Sequence, residues 1–377
     1  MHRSSLVRRT LALLLGLGLL ALFSGGAARA ADNFSKVSFD TVDGVTLQGT
    51  FYPSPKGKNE PTVLLLHRIG SDSHKDGWDA LASKLQDKGY SVLSFDFRGH
   101  GNSTTIDPPK FWGYGFNKGA SRTGPNDPKT NKPKDSINQK EFTPGYLPYL
   151  INDIAAAKMF LDDRNDGGEC NSHALILIGA EDGAALGALW MASEWNRYTA
   201  SVEFIGPRKI PMVRSVGDTP EGKGLYCALW LTMTPALGGK TSVGGALSKA
   251  LGFVGKDKKV PMGFLYGDKD ETGQKHAEEL VKHINPEKKL ALTAADAVKD
   301  TKLTGSALLR DSLDTEQKVL NYLSKVREKN VPQKWSKVDL DRTGFVWAFN
   351  PNRPIPAKDD KSKVLEPLLP SWLGVNP

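Results

Sequence analysis

The sequence runs to 377 residues, 39% hydrophobic and 24% charged, with 50 lysines and arginines against 42 acidic residues. That length suits one large α/β domain with extensions better than two full domains. The basic excess is too small and too dispersed to argue for nucleic acid, and no zinc-finger spacing, Walker loop or aromatic-basic stripe supports that partner.

Residues 1–30 read as a secretory leader. Arg3, Arg8 and Arg9 precede an apolar run over 11–23, no acid occurs before Asp32, and small residues end in Ala28-Arg29-Ala30. This layout predicts cleavage after Ala30 and an exported chain, periplasmic or extracellular. The run is shorter than the roughly 20 residues that span a bilayer, so no transmembrane segment is expected after its removal. The Arg8-Arg9 pair is compatible with a twin-arginine route. The leader carries four arginines and no acid, which leaves 46 basic residues against 42 acidic ones in the mature chain.

Strands and helices then alternate along the chain. Residues 36–42 and 45–52 flank an Asp43-Gly44 turn and predict a β-hairpin. Residues 62–66 form a continuous apolar run, as in a strand buried on both faces, and lead into His67-Arg68-Ile69-Gly70. Trp78, Leu81, Ala82 and Leu85 share one helical face, stopped by Gly89. A strand over 91–97 runs into Arg98-Gly99-His100-Gly101-Asn102-Ser103, and a helix over 148–162 carries Leu150, Ile154, Ala157 and Leu161 on one face. Further strands are predicted at 174–178, 227–233, 260–266 and 289–293, with helices at 184–193, 273–283 and 314–326. An Asp314/Gln317 capping box opens the last helix. The alternation implies an α/β fold with a mostly parallel central sheet and helices on both faces.

The run Leu64-Leu65-Leu66-His67, then Trp78, then Gly89-Tyr90 and Phe95-Asp96-Phe97-Arg98-Gly99-His100-Gly101-Asn102-Ser103 resembles the N-terminal half of an α/β-hydrolase, of the serine-esterase or dienelactone-hydrolase kind. The resemblance covers residues 37–326 and implies the α/β-hydrolase fold. It divides the chain into the leader 1–30, a domain over 31–328 with a long insertion at 104–147, and a C-terminal extension over 329–377.

In that family the nucleophile sits in G-x-nucleophile-x-G, on a tight bend where backbone and helix approach closely enough to need glycine. Here Gly179-Ala180-Glu181-Asp182-Gly183 stands between a predicted strand and a predicted helix. The elbow glycines Gly179 and Gly183 are in place, and Glu181 holds the nucleophile's position. The stretch from Val260 to Gly267-Asp268-Lys269-Asp270 resembles the family strand that ends in G-x-x-D, which matches Asp270 to the triad acid, with Asp268 as the alternative frame. The histidine should follow the last strand. The matching stretch Lys302-Leu303-Thr304-Gly305-Ser306-Ala307 has Thr304 there, and no histidine follows His283.

The resemblance also implies an oxyanion hole made by the N–H of Asp182 and an N–H at Arg68 or Ile69. Glu181 could fold its carboxylate into that hole and pair with Arg68, plugging the site. Arg68 directed at solvent is the alternative. A carboxylate nucleophile serves the dehalogenase and epoxide-hydrolase relatives, but releasing its ester needs a histidine to activate water. His276, His67 and His100 are the candidate substitutes. Against that, His67 and His100 suit hydrogen bonds to loop backbone, and His276 suits a surface position. The family's strand order sets the segments of Cys170 and Cys227 side by side, so the resemblance implies a disulfide, which an oxidising compartment permits. Two buried free thiols are the alternative.

The polar insertion carries Phe111, Trp112, Tyr114 and Phe116, and suits either a lid over a ligand or a loop pinned by its aromatics. In the extension, 335–349 alternates about Arg342-Thr343-Gly344 and predicts a hairpin, while Pro351, Pro354, Pro356, Pro367 and Pro370 argue against regular structure beyond it. No cofactor or metal is implied. Three functions compete: a catalytically degenerate hydrolase-fold protein that binds a small-molecule ligand or a partner, an active hydrolase of esters or alkyl compounds using Glu181, and a structural envelope-interaction protein. The missing histidine favours the first. No particular protein partner follows from the sequence.

Overall fold

The computed structural model describes residues 33–195, 197–205, 208–215, 224–338, 346–350 and 364–368. The predicted leader and the Arg342-Thr343-Gly344 turn lie outside the described residues. The main strands are β1 (Ser35–Asp40), β2 (Thr46–Tyr52), β3 (Pro61–Leu66), β4 (Ser91–Phe95) and β5 (Asn171–Ala180). Beyond a hairpin of β6 (Tyr198–Ile205) and β7 (Arg208–Ser215) come β8 (Leu225–Leu231), the short pair β9 (Ala236–Leu237) and β10 (Thr241–Ser242), β11 (Met262–Gly267) and β12 (Ala294–Val298). Eight of them form one sheet in the order β1-β2-β4-β3-β5-β8-β11-β12. β1 and β4 pair antiparallel with β2, and every later pairing is parallel.

Parallel neighbours need crossover connections, and helices supply them. α1 (Trp78–Asp87) joins β3 to β4, and α2 (Pro108–Gly113) lies in the insertion. α3 (Ile151–Asp166) precedes β5 and α4 (Glu181–Glu194) follows it. α5 (Gly244–Leu251) precedes β11, α6 (Glu271–Ile284) joins β11 to β12, and α7 (Thr315–Lys329) follows β12. Covered on both faces, the inner strands are apolar at successive positions. Leu64, Leu66, Leu177 and Trp230 pack into one layer, and Val63, Leu65, Ile176 and Leu229 into the other.

That alternation overturns the disulfide. Cys170 packs in the first layer, its thiol donating to the Leu161 carbonyl at 3.5 Å, whereas Cys227 packs in the second. Both are free and buried. The strands are neighbours, but the register sets Cys227 opposite Ile176, six residues along from Cys170, and the two side chains point to opposite faces. Burial pushes the Cys170 thiol up to about 12 and the Cys227 thiol higher still, so both stay protonated and unreactive.

Other differences have local causes. The last strand forms at Ala294–Val298 and not at 289–293, because an edge strand of small, half-exposed residues lacks the apolar run that marks the inner ones. α7 begins as predicted but without a capping box: Asp314 makes no cap hydrogen bond, and Gln317 bonds Asn321. In the extension, β13 (Val346–Asn350) pairs with β14 (Val364–Leu368), so the hairpin does not involve Trp335, whose indole donates to the Asn165 carbonyl. Pro367 lies within β14, which a two-stranded ribbon tolerates because each strand has an unbonded side. Asn152 bonds both the N–H and the C=O of Trp347, holding that buried indole against the body. No helix among the described residues is long and apolar enough to cross a membrane.

Candidate active site

β5 delivers Gly179 and Ala180 to a bend, and α4 begins at Glu181. Glu181 holds φ at 51°, in the left-handed region that a side chain with a Cβ rarely adopts. The glycines beside it are fixed by space. A Cβ on Gly183 would stand 2.2 Å from the His67 carbonyl oxygen, and one on Gly179 would stand 2.9 Å from the Ala184 Cα. A strained residue between a buried parallel strand and the helix packed on it, in a sheet of this order, is a nucleophile elbow. The fold is that of the α/β-hydrolases.

The Ile69 amide, which the resemblance assigns to an oxyanion hole, is occupied from within. Asp182, only 6% exposed, accepts a hydrogen bond from the Ile69 N–H at 2.7 Å through Oδ1 and one from the Gly238 N–H at 3.0 Å through Oδ2. Burial pushes this carboxyl up, while the amides of Ile69, Gly238 and Asp182 itself and the Arg68 charge hold it back. The carboxylate bonded to the Ile69 amide is thus that of Asp182 and not of Glu181. The Glu181–Arg68 pair does form, with Arg68 Nε 3.7 Å from Glu181 Oε2 and 3.9 Å from Asp76 Oδ2. Both partners are part-exposed, so the pair adds little stability. Burial raises the Glu181 carboxyl against the pull of Arg68.

Thr304 precedes Gly305, whose φ is 56°. A Cβ on Gly305 would stand 2.3 Å from Glu181 Cγ and Oε1, so this loop packs directly on the elbow side chain. Sequence reasoning missed what holds it there. Ser306 donates to Asp76 at 2.9 Å, and Asp76 also accepts from Ser71 at 3.1 Å. The Asp76-Gly77 pair, both at positive φ, was the available signal.

Asp270 caps α6, accepting from the Gly273 N–H at 3.0 Å, and Asp268 accepts from the amides of Asp300 and Thr301. His67 is bonded at both nitrogens, to the Arg68 carbonyl and the Phe97 N–H. His100 is bonded likewise, to the Arg98 carbonyl and the Gly70 N–H. The two accepting nitrogens fix both rings as neutral imidazoles. Burial lowers both, His100 to about 3. Neither has a nitrogen left for a substrate. His276 differs: half-buried on α6, it leaves Nε2 without a hydrogen-bond partner.

Glu181, Asp182, Asp270, His276 and Thr304 line one cavity of about 870 Å³, together with Thr232 at the end of β8. Thr232 sits at φ 44° and leaves its Oγ1 unbonded, a feature the sequence did not signal. No residue of the 104–147 insertion lines this cavity. Its aromatics pin it to the body instead: Phe111 is buried, Phe116 stacks on Tyr149 at 4.5 Å, and Trp112 donates to the Lys134 carbonyl.

No protein-family model and no curated protein matches the sequence. Similar solved structures include an esterase of Pyrococcus furiosus, at 16% identity over 78% of this chain and 91% of that one, with a TM-score of 0.47. A dienelactone hydrolase from Anabaena variabilis is similar at 15% identity over 79% of this chain and 98% of that one, with a TM-score of 0.45. Strand order and the bend at Glu181 establish the fold independently of these likenesses.

Proposed function

We propose that this chain is an exported α/β-hydrolase-fold protein that binds a small molecule without hydrolysing it. One observation carries the reading: Gly305, next to Thr304 in the loop that the resemblance matches to the triad histidine, packs on the Glu181 side chain. Hydrolysis through a covalent ester needs a base to activate the water that releases it. His67 and His100 are committed to backbone groups and supply none. The cavity remains, and its size lies within the range of small-molecule sites. Export is supported by the leader pattern of residues 1–30.

A second reading has one observation in its favour. His276 lines the cavity that Glu181 also lines and its buried Nε2 has no hydrogen-bond partner, so a carboxylate nucleophile with His276 as base is the alternative. A fragment screen read by the amide shifts of Thr234, Gly239 and Lys275, run beside product assays, separates the readings. Ligand shifts confined to the cavity with no product are the expected result. Product that disappears in His276→Ala establishes the second reading, and neither shifts nor product leaves only a structural role.

A further inference from the structure

The geometry points to Asp182 as the residue that determines which ligands the cavity admits: its carboxylate is a resident anion, so the site rejects carboxylates and phosphonates, and losing this one group opens an anion subsite. The inference deepens the reading of the cavity as a ligand site and rests on it.

Two backbone donors from separate loops converge on this side chain. Ile69 lies after β3 and Gly238 between β9 and β10, at 2.7 and 3.0 Å from the two carboxylate oxygens. The spacing of the amides therefore matches the bite of one carboxylate, and another carboxylate or a phosphonate presents the same pair of oxygens. Each donor's loop has a further anchor: Gly238 lies in the turn closed by the β9–β10 pairing and by the Lys240 N–H to Leu237 carbonyl bond, and the Gly70 N–H next to Ile69 bonds His100.

The surrounding charge agrees. Asp182 lies in the first turn of α4, where the helix dipole favours an anion, and Arg68 is close enough to oppose the rise in its pKa. In the absence of Asp182, Glu181 beside it is the nearest group in sequence to repel an incoming anion, and Asp76 and the cavity acids Asp270, Glu271 and Glu279 add to it. An ester forming a tetrahedral oxyanion meets the same obstacle as a free anion, because the amide that would receive the developing charge is already engaged.

The test uses the ¹⁵N-labelled chain, with methylphosphonate as the probe and the Ile69 and Gly238 amides as the readout. Wild type should show no saturable shift at these amides. Asp182→Ala should show one, an affinity gain of about tenfold or more for two charge-assisted contacts. Adding Glu181→Gln should tighten binding further. Asp182→Ser, which keeps a small polar side chain in the first helical turn, carries the same test if the alanine variant does not fold. Saturable binding at these amides by wild type overturns the inference, as does a folded variant that takes up no methylphosphonate or shifts only remote amides. A cavity that binds nothing in the wild type is a separate failure, because the methylphosphonate result does not require a native ligand.

Discussion

Arg98 and Thr232 stand in two polar regions that are finished differently. Around Arg98 every group is answered. The fully buried guanidinium bonds Asp43 at 2.7 and 3.0 Å, Asp153 at 2.7 Å and the Tyr146 hydroxyl at 2.9 Å. Asn117 closes the ring by donating to Asp43 and accepting from Tyr146. In the cavity wall, Thr232 Oγ1, Asp270 Oδ2 and His276 Nε2 have no hydrogen-bond partner. An unbonded buried polar group costs stability, so these three residues of the cavity wall are less well satisfied than the cluster around Arg98. The first region is framework and ties the insertion to the hairpin turn at Asp43. The second is the wall of the cavity proposed above to hold a ligand.

Breaking the framework should cost most. Arg98→Met leaves Asp43 and Asp153 buried without their counter-ion, and we expect a loss of about 3–5 kcal/mol in denaturant unfolding. A wild-type midpoint would end the contrast between the regions. Gly183→Ala comes next. Its Cβ would stand 2.2 Å from the His67 carbonyl, so the elbow must shift, at a cost of about 1–3 kcal/mol by calorimetry.

The third prediction concerns pH. His100 is held at about 3 in the fold against 6.5 when free, so the unfolded chain takes up its proton first. The stability this neutral ring contributes is present above the free value and is lost as pH falls from there toward the folded one. Its share of the slope approaches about 1.4 kcal/mol per pH unit. His100→Gln should flatten that part of the acid-unfolding curve. The smallest effect on stability belongs to the wall: His276→Ala should change it by less than about 0.5 kcal/mol while weakening ligand binding. A large loss of stability there would place His276 in the framework.

The contrast also explains what was legible in the sequence. The inner strands and the elbow could be read because apolar runs such as 62–66 and the glycines at 179 and 183 answer to local constraints. The part played by Asp182 could not. Its carboxylate meets amides 113 and 56 residues away, and the motif that located it concerns only its backbone N–H. The cysteine pairing failed for a related reason: strand order makes two strands neighbours, whereas the register sets Cys227 opposite Ile176 and away from Cys170. Thr232 and His276 carry no local signature, and only the ends of β8 and β11 bring them to one cavity.

The central claim is that the elbow no longer turns over substrate. Mass spectrometry of the mature chain after incubation with activated esters, epoxides and haloalkanes, with product measured alongside Glu181→Gln, tests it most directly. We predict no product above that of the Glu181→Gln variant with any of the three classes. Sustained turnover in the wild type that disappears in Glu181→Gln would contradict the account and identify a working carboxylate nucleophile.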